Sequence, residues 1–413
     1  MKLSTRRILT THTGSLPRPQ DLLALMTAKE AGEVVDRAAL DSSVRSAVAE
    51  VVRAQVESRI DIVNDGEMSK IGYSTYVKDR LSGFEGESPG LARSARLSDL
   101  RDFPDYAEQL YTNRTLATLK TPACNGPIAY RDTKGLALDI ENLKAAISGV
   151  RPEEVFMSAA SPGVISLFLA DQYYGTHEAY LAALADAMKT EYEAIHRAGF
   201  LLQVDCPDLA MGRHIQFADL SLSEFRKKAA LHVEALNRAL ADVPAGSVRI
   251  HLCWGNYEGP HHRDVPIKDI IGIVLKAKAA GISFEAANPR HEHEWKIWEE
   301  VKLPDGKVLI PGVLDSCTNY IEHPELVAER IVRFARTVGR ENVIAGTDCG
   351  FATFAGYSQV EPKITWAKLK SLVEGARIAS RELWARTTRP ATTQKPAQRT
   401  ASKSTKSRVH RRK

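Results

Sequence analysis

Short apolar runs alternate with longer helical segments along most of the chain, and this alternation limits the fold more than any other feature of the sequence. The runs have the length and composition of strands, which we predict at residues 8–13, 60–64, 155–158, 201–205, 248–253, 282–285, 308–313 and 343–346. Apolar residues at three- and four-residue spacing predict helices at residues 38–58, 177–198, 223–241, 267–280, 324–338 and 364–383. Eight strands that alternate with helices predict a single (β/α)8 barrel of the TIM type, in the α/β class.

Composition divides the 413 residues into a body, residues 1–385, and a tail, residues 386–413. A single barrel with insertions can reach the length of the body, and we expect an insertion with weak strands, near residues 83–142, to lie over its mouth. The tail has ten Lys or Arg, no acidic residue and almost nothing apolar, so we predict that it is disordered. Since the whole chain carries a net charge of +5, the body carries −5. This distribution favours a solubilising tail with nonspecific polyanion contacts over a nucleic-acid-binding protein.

Membrane and secreted classes fit the sequence poorly. No run of 18 uncharged apolar residues occurs, and the basic residues 1–7 are followed by polar residues rather than by the apolar stretch of a secretory signal. The cysteines are an odd number and widely scattered: Cys124, Cys206, Cys253, Cys317 and Cys349. This pattern predicts free thiols in a reducing compartment, and we therefore expect a cytoplasmic protein without a membrane partner.

A His and a Cys stand two residues apart at the end of the fifth predicted strand. His251 and Cys253 therefore point to the same side of that strand, which then breaks at Trp254-Gly255-Asn256. Imidazole nitrogen and thiolate sulfur suit zinc, and Cys349 at the end of the last predicted strand could supply a third ligand. Taken alone, the pair could equally be a core cysteine beside a hydrogen-bonded histidine.

Polar residues also follow most of the other predicted strands. They are Ser15, Glu67, Asp205, Glu285 and Asp315. A parallel barrel gathers the carboxyl ends of its strands in one mouth, however far apart they lie in the sequence. We therefore expect carboxylates, thiols and imidazole to share one site.

Seven short motifs resemble, in the same order, those of the catalytic barrel of the cobalamin-independent methionine synthase family, and in particular its single-barrel branch. The resemblance covers about residues 5–385 and rests on Gly14-Ser15-Leu16-Pro17-Arg18, Asp65-Gly66-Glu67, Gln203-Val204-Asp205-Cys206-Pro207, His251-Leu252-Cys253, Phe284-Glu285, Gly312-Val313-Leu314-Asp315 and Asp348-Cys349-Gly350. It implies a zinc-dependent methyltransferase or alkyltransferase that acts on a thiol, most simply the thiol of homocysteine.

The resemblance implies a Zn²⁺ cofactor held by His251, Cys253, Glu285 and Cys349. Two thiolates, one imidazole and one carboxylate would form a four-coordinate site, in which Glu285 is the weakest ligand. A free thiol is mostly protonated at neutral pH, whereas coordination to zinc deprotonates it. The metal would therefore generate the thiolate nucleophile for alkyl transfer to sulfur.

The resemblance also assigns a pocket for an amino-acid thiol. Glu67 and Asp205 would pair with the substrate ammonium and take part in catalysis, while the backbone around Gly14 and Ser15 would hold its carboxylate. Three positions depart from the family pattern: His12 replaces an apolar residue, Cys206 stands where the family has Glu, and Cys317 stands near the place of a His that the family uses as an acid. We expect His323 or a residue of the 257–263 loop to replace that acid.

Several alternatives stay open at this stage. The alkyl donor could be a folate, a corrinoid protein or an epoxide, because the chain has one barrel where full-length synthases have two. An epoxyalkane:coenzyme M transferase would use the same zinc chemistry and would need cationic residues for a sulfonate, for which Arg18, Arg213 and Arg290 are candidates. A metal-free decarboxylase on the same barrel is more remote. The His-rich stretches at 259–262 and 291–294 resemble further metal sites by composition, but we expect solvated or substrate-facing loops there.

Overall fold

Parallel strands form the centre of the structure. A computed structural model describes residues 1–87, 97–112 and 119–385, and of residues 111 and 112 it describes only the backbone. The strands in this part are β1 (Leu9–Thr10), β2 (Ile62–Val63), β3 (Glu154–Ala160), β4 (Leu201–Asp205), β5 (Val248–Leu252), β6 (Gly281–Phe284), β7 (Val308–Pro311) and β8 (Ile344–Ala345). Each of the eight predicted strands is therefore present, although most are shorter than predicted.

The strands follow one another in chain order. Strands β2 to β7 form one parallel sheet, and β1 pairs with β8 in parallel. A parallel bridge between Gly312 and Gly346 links the end of β7 to that of β8. On the other side, the Asp61 amide, next to β2, donates a hydrogen bond of 3.2 Å to the carbonyl of Thr10 in β1. The result is an α/β fold with a curled parallel sheet.

The shortness of β1 and β2 has a local cause. The Asp61 carboxylate accepts hydrogen bonds from both the amide and the hydroxyl of Thr10, at 2.8 and 3.0 Å. The Thr11 hydroxyl donates to the Ile62 carbonyl. Side chains thus replace ladder bonds that a regular pair of strands would form, which satisfies the backbone without lengthening the sheet.

Residues from opposite sides of the curled sheet meet in a small apolar layer at its centre. The layer contains Leu9, Ile62, Phe156, Leu201, Val308, Ile310 and Ile344. Above it lies the buried Arg249 of β5, whose guanidinium stacks on Phe156 at 3.6 Å and donates to Gln203 at 2.8 Å. Apolar packing therefore lies below a polar layer, and the polar layer lies below the carboxyl ends of the strands.

Helices surround the sheet. In the described residues they are α1 (Gln20–Ala31), α2 (Arg37–Glu57), α3 (Val77–Arg80), α4 (Pro104–Thr112), α5 (Thr133–Ile147), α6 (Pro162–Phe168), α7 (His177–Arg197), α8 (Leu222–Ala239), α9 (Ile267–Val274), α10 (Ile297–Glu300), α11 (Pro324–Val338) and α12 (Pro362–Trp384). Short 3₁₀ turns lie at Ser98–Asp102, Pro207–Leu209, Met211–Arg213, Ala245–Ser247, Glu292–Lys296 and Arg340–Asn342. The six predicted helices are present, and α11 has the predicted bounds.

Two predictions about secondary structure need correction. Helix α9 ends at Val274 rather than at residue 280, because the Ala280 amide bonds to the carbonyls of Ala245 and Val248 and so already belongs to the strand layer. The predicted insertion, residues 83–142, was expected to contain weak strands. The strand-like pairing in its described part is limited to isolated bridges, such as the one between Gly86 and Ala123. This part also contains α4 and the start of α5, which begins where the Asp132 side chain accepts hydrogen bonds from two helix amides.

The described part of this insertion contacts the loop that follows β5. Asp102 forms an ion pair with Arg263 and a hydrogen bond with His262, at 2.7 and 2.8 Å. Asp99 accepts hydrogen bonds from the Tyr257 hydroxyl and the His261 amide. These contacts hold the segment on the side where the strands end.

The predicted tail, residues 386–413, lies outside the described residues. Among the described residues, no helix combines the length and the apolar composition that crossing a membrane requires.

Gly312 offers a test of how tightly the end of β7 packs against β8. A Cβ at this position would lie 2.5 Å from Cα and 2.6 Å from N of Asp348, which is backbone and cannot rotate away. We expect Gly312→Ala to lower the free energy of unfolding by about 3 kcal/mol in a urea titration. Gly272→Ala in α9 is the control: a Cβ there meets nothing within 4 Å, so stability should rise by about 0.5–1 kcal/mol. Equal stability of the two variants would contradict the close packing.

Candidate metal centre

His251, Cys253 and Cys349 converge at the carboxyl ends of two strands. His251 lies in β5, Cys253 is the first residue after β5, and Cys349 lies in the loop after β8. One ligand atom from each residue lies within 4.8 Å of the others, and the three residues are buried. The two sulfur atoms are 3.1 Å apart, and Cys253 and Cys349 are free thiols. The sequence prediction that these three residues meet agrees with this geometry.

Neighbouring groups orient the histidine and one of the thiols. Nδ1 of His251 lies 3.1 Å from the hydroxyl of Ser283, which stands opposite it on β6. This contact leaves Nε2 available as a ligand atom, the arrangement in which a second partner fixes the imidazole of a metal site. The Gly255 amide donates to the Cys253 sulfur at 3.2 Å, as it would to a thiolate.

The electrostatics of the three residues suit a bound cation. Burial, together with the nearby Arg249 charge, lowers the pKa of His251 to about 3, so the imidazole is neutral and keeps a lone pair. The pKa of Cys253 is raised to about 11: contact with the Cys349 sulfur lowers it, but burial and the Glu285 carboxylate outweigh that effect. Burial also raises the pKa of Cys349 well above the usual thiol value. Protein groups alone therefore do not favour the thiolates, whereas a divalent cation would.

Glu285, the fourth predicted ligand, lies beside this group. Its Oε1 is 3.6 Å from the Cys349 sulfur and accepts a hydrogen bond of 2.8 Å from the Trp254 amide. Its Oε2 accepts a hydrogen bond of 2.7 Å from the Asn288 carboxamide. The carboxylate is thus adjacent to one candidate ligand and held at both oxygens by the protein. Its role as a ligand stays a prediction.

A second polar group lies at the ends of β2, β3 and β4. The Ser158 hydroxyl donates to Oε1 of Glu67 at 2.7 Å. Oε2 of Glu67 is buried and has no hydrogen-bond partner among the described residues. The backbone of Glu67 has φ of +58°, an uncommon conformation for a residue with a side chain. A buried carboxylate oxygen without a donor is costly, so this position is suited to a ligand that brings one.

Asp205 faces the same group. Burial and repulsion from Glu67 raise the pKa of Asp205 well above the usual carboxyl value, and the nearby Lys70 ammonium opposes this shift. Asp205 accepts one hydrogen bond of 2.8 Å from the Gln203 carboxamide. A buried carboxyl that lies close to a second carboxyl, as Asp205 does, would be stabilised by an added cation such as a substrate ammonium.

Gly14 and Ser15 connect this pocket with the candidate metal ligands. A Cβ on Gly14 would lie 2.7 Å from Oε1 of Glu67, so only glycine permits this approach. The Ser15 carbonyl accepts a hydrogen bond of 2.9 Å from the Phe351 amide, two residues after Cys349. The structure therefore brings the predicted substrate residues together around one mouth.

Other residues singled out in the sequence hold local structure. Asp315 accepts hydrogen bonds from the amides of Cys317 and Thr318, so it anchors its own loop. The Cys317 sulfur donates to the side-chain oxygen of Asn256 at 3.2 Å. His323 is exposed and caps helix α11, so the expectation that it replaces the family's acid has no support in its position.

The candidate sulfonate-binding arginines are also engaged. Arg18 is buried and donates to the backbone carbonyls of Glu67, Lys70 and Ala352. Arg213 donates to the carbonyls of Phe217 and Ala218. Arg290 donates to the His262 carbonyl at 3.2 Å. Each of these guanidinium groups therefore donates hydrogen bonds to backbone carbonyls, and those donors are not available to a sulfonate.

Sequence reasoning missed several residues of the site. Lys70, buried beside the carboxyls, donates to the Ser158 hydroxyl at 3.1 Å, and Ser158 in turn donates to Glu67. Lys70 follows Glu67 by three residues, a spacing that could have indicated a shared turn. Nothing in the local sequence distinguished Ser158, Ser283 or Asn288, since their roles depend on neighbouring strands.

The fold and the site together define a class: an α/β protein in which buried thiols and an imidazole that could hold a metal ion lie where the parallel strands end. Residues 172–377 match the sequence model of the catalytic domain of the cobalamin-independent synthase family. The methionine synthase of Thermococcus kodakarensis is 24% identical over 371 residues, which cover 90% of this chain and 93% of that protein. The methionine synthase of Saccharolobus solfataricus is 25% identical over 382 residues, which cover 91% and 95%. The chain belongs to the cobalamin-independent methionine synthase family.

Solved structures support the fold. A B12-independent methionine synthase from a Shewanella species, in complex with selenomethionine, superposes with a TM-score of 0.68 at 19% identity, over 91% of this chain and 99% of the other. A putative B12-independent methionine synthase from Listeria monocytogenes has a TM-score of 0.61 at 17% identity, over 90% and 98%. At these identities the likeness concerns the arrangement of helices and strands.

Metal content tests the candidate centre directly. We expect the purified protein to carry about one zinc ion per chain, and Cys253→Ser or Cys349→Ser to lose it, because each change removes one of the thiolates. Cys124→Ser is the matched control, since this buried thiol donates to the Gly126 carbonyl and belongs to the insertion. Elemental analysis after dialysis measures the metal. Full zinc retention by both Cys253→Ser and Cys349→Ser would contradict the assignment.

Proposed function

We propose that this protein is a zinc-dependent methyltransferase that transfers an alkyl group, most simply methyl, to the thiol of homocysteine. The convergence of buried His251, Cys253 and Cys349 carries this proposal. Zinc is the metal that such a donor set suits best. Family membership supports the reaction class, and the relatives named above are methionine synthases.

We further propose that the eight strands close into a (β/α)8 barrel. The Gly312–Gly346 bridge and the Asp61–Thr10 hydrogen bond support closure on both sides of the β1–β8 pair. In such a barrel the catalytic groups lie at the carboxyl ends of the strands, where the candidate residues lie here.

The proposed ligands are His251, Cys253, Cys349 and Glu285. Bound zinc would supply the positive charge that keeps the substrate sulfur deprotonated near neutral pH. Ser283 would hold the His251 ring in place, and the Gly255 amide would stabilise the Cys253 thiolate. Glu285 is the ligand that an incoming thiol could replace most easily, because a carboxylate binds zinc more weakly than the thiolates and the imidazole do.

Glu67 and Asp205 would bind the substrate ammonium. Oε2 of Glu67, which has no hydrogen-bond partner among the described residues, supports this role, and so does the repulsion that raises the pKa of Asp205. The backbone at Gly14 and Ser15 would hold the substrate carboxylate, since it joins this pocket to the loop of Cys349. The amino-acid end of the substrate would thereby orient its sulfur for attack on the alkyl carbon.

The acid pocket favours an amino-acid thiol over coenzyme M, the thiol of the alternative epoxyalkane transferase. A sulfonate would be repelled by two buried carboxyls, and the candidate arginines already donate to backbone carbonyls. A metal-free decarboxylase would make no use of the two thiols at the site. Turnover assays with a methyl-folate, a methylated corrinoid protein and an epoxide would identify the alkyl donor.

Zinc X-ray absorption spectroscopy tests the proposed function. On addition of homocysteine, we expect one nitrogen or oxygen ligand to be replaced by sulfur and about one proton to be released per site, because the thiol binds as thiolate. Coenzyme M and 2-mercaptoethanol serve as comparison thiols. An unchanged sulfur count with every thiol would overturn the proposed mechanism.

A second test concerns recognition of the ammonium. Asp205→Asn should lower kcat/KM for homocysteine by a hundredfold or more, because a buried charge that loses its partner costs about 3 kcal/mol or more. Bound zinc should be unchanged. A neutral thiol without an ammonium, such as 2-mercaptoethanol, provides the internal control and should respond by less than about threefold. Equal losses with both thiols would mean that Asp205 supports its loop rather than binding substrate.

A further inference from the structure

A buried cluster of ionisable residues lies next to the candidate metal centre, and the proposed function does not use it. We call it the Asp264 cluster; it consists of Asp264, His261, His291 and Glu294. Oδ2 of Asp264 is 2.9 Å from Nδ1 of His261 and 2.9 Å from Nε2 of His291. Oε2 of Glu294 is 2.8 Å from Nδ1 of His291. For the stretches at 259–262 and 291–294 the sequence predicts solvated or substrate-facing loops; the side chain of His291 is only 3% exposed, so it is not solvated.

Both ring nitrogens of His291 face carboxylates. Burial favours the neutral ring, but the hydrogen bonds to Asp264 and Glu294 outweigh it and raise the pKa of His291 to about 10. Both nitrogens are therefore taken up by hydrogen bonds, and neither is directed at a metal. Glu294 is itself fixed, because its Oε1 accepts a hydrogen bond of 2.8 Å from the Ile267 amide at the start of α9. The cluster holds the imidazole at both edges.

His291 makes two further contacts, and each leads to Glu285. Its ring stacks on Trp254 with a centroid distance of 4.1 Å and an interplanar angle of 28°. The Trp254 amide donates to Oε1 of Glu285 at 2.8 Å, and the indole nitrogen donates to the Val265 carbonyl at 2.7 Å. By stacking on Trp254, the His291 ring therefore supports the residue whose amide holds Oε1 of Glu285.

The second contact runs through Asn288. The His291 amide donates to the side-chain oxygen of Asn288 at 3.1 Å. The Asn288 carboxamide nitrogen donates to Oε2 of Glu285 at 2.7 Å and to Oδ2 of Asp348 at 3.0 Å. The two hydrogen bonds that Trp254 and Asn288 donate to the Glu285 carboxylate thus come from residues that His291 touches.

We propose that His291, clamped between Asp264 and Glu294, is a positioning residue that holds the Glu285 carboxylate at the metal through Trp254 and Asn288. This inference rests on the proposed function, because it takes Glu285 to be a zinc ligand. Partners of metal ligands commonly change metal affinity by ten- to a hundredfold when they are removed. His291 acts one contact further out, so the lower part of that range is expected.

A double-mutant cycle separates positioning from general support of the fold. Zinc dissociation constants are measured by chelator competition for the full chain and for His291→Ala, Glu285→Ala and the double variant. We expect His291→Ala to weaken zinc binding about tenfold in the native background and by less than twofold in the Glu285→Ala background. An equal loss in both backgrounds would overturn the proposal, because His291 would then act on the site as a whole.

His262→Ala is the matched control. His262 belongs to the same loop as His261, is 39% exposed and hydrogen-bonds to Asp102 rather than to the cluster. Its zinc affinity should stay within twofold of the native value. Zinc X-ray absorption adds a readout that a purely structural role would not change: His291→Ala should lose an oxygen ligand while its sulfur ligands stay.

A second variant covers the case in which His291→Ala does not fold. Asn288→Ala removes the carboxamide that joins His291 to Glu285, and it should show the same background-dependent loss of zinc affinity. If the native protein binds zinc and both variants bind it with the same affinity, this inference is overturned, whereas the proposed function still stands. Native protein without zinc would overturn both.

Discussion

One carboxylate ties together the two loops that carry the candidate ligands. Asp348 is buried and accepts hydrogen bonds of 2.8 Å from the amides of Ala286, Ala287 and Asn288. These amides follow Glu285 directly, whereas Asp348 precedes Cys349. The position of Glu285 relative to Cys349 is therefore held by the Asp348 carboxylate, these three amides and the Asn288 carboxamide, which also donates to Asp348. The close approach of Gly312 to the Asp348 backbone holds the same loop from below.

The chemistry of the mouth rests on groups that the protein leaves electrostatically unsatisfied. Burial and contact between the thiols raise the pKa of Cys349, and burial and Glu67 raise that of Asp205. Such arrangements are unfavourable for folding and are typical of functional sites, where a ligand supplies the missing charge. In the proposed function zinc serves the thiols and a substrate ammonium serves the carboxyls. In both places, therefore, the protein buries groups whose charged form needs a cation that the ligand supplies.

Much of this arrangement could be predicted from the sequence, and the reasons for the failures are specific. His251 and Cys253 were recognisable because a strand has a period of two, and α11 was recognisable because Pro324 and its amphipathic pattern set its bounds. Helix α9 ends early because the Ala280 amide forms hydrogen bonds with residues near the start of β5, and the local sequence pattern does not predict this contact. The role of Lys70 was missed because its partner Ser158 lies 88 residues away.

The sequence by itself determined the alternation of strands and helices and the identity of the thiol, imidazole and carboxyl groups at the strand ends. These features follow from the periodicity of the local sequence and from the chemistry of each side chain, and neither depends on distant residues. Only the tertiary structure decided which groups meet. The contact of Cys253 with Cys349, the hydrogen bond from Ser158 to Glu67 and the clamp on His291 each join residues from different strands or loops. Distances of this kind depend on how strands pack around a common centre, and that packing is a property of the whole chain.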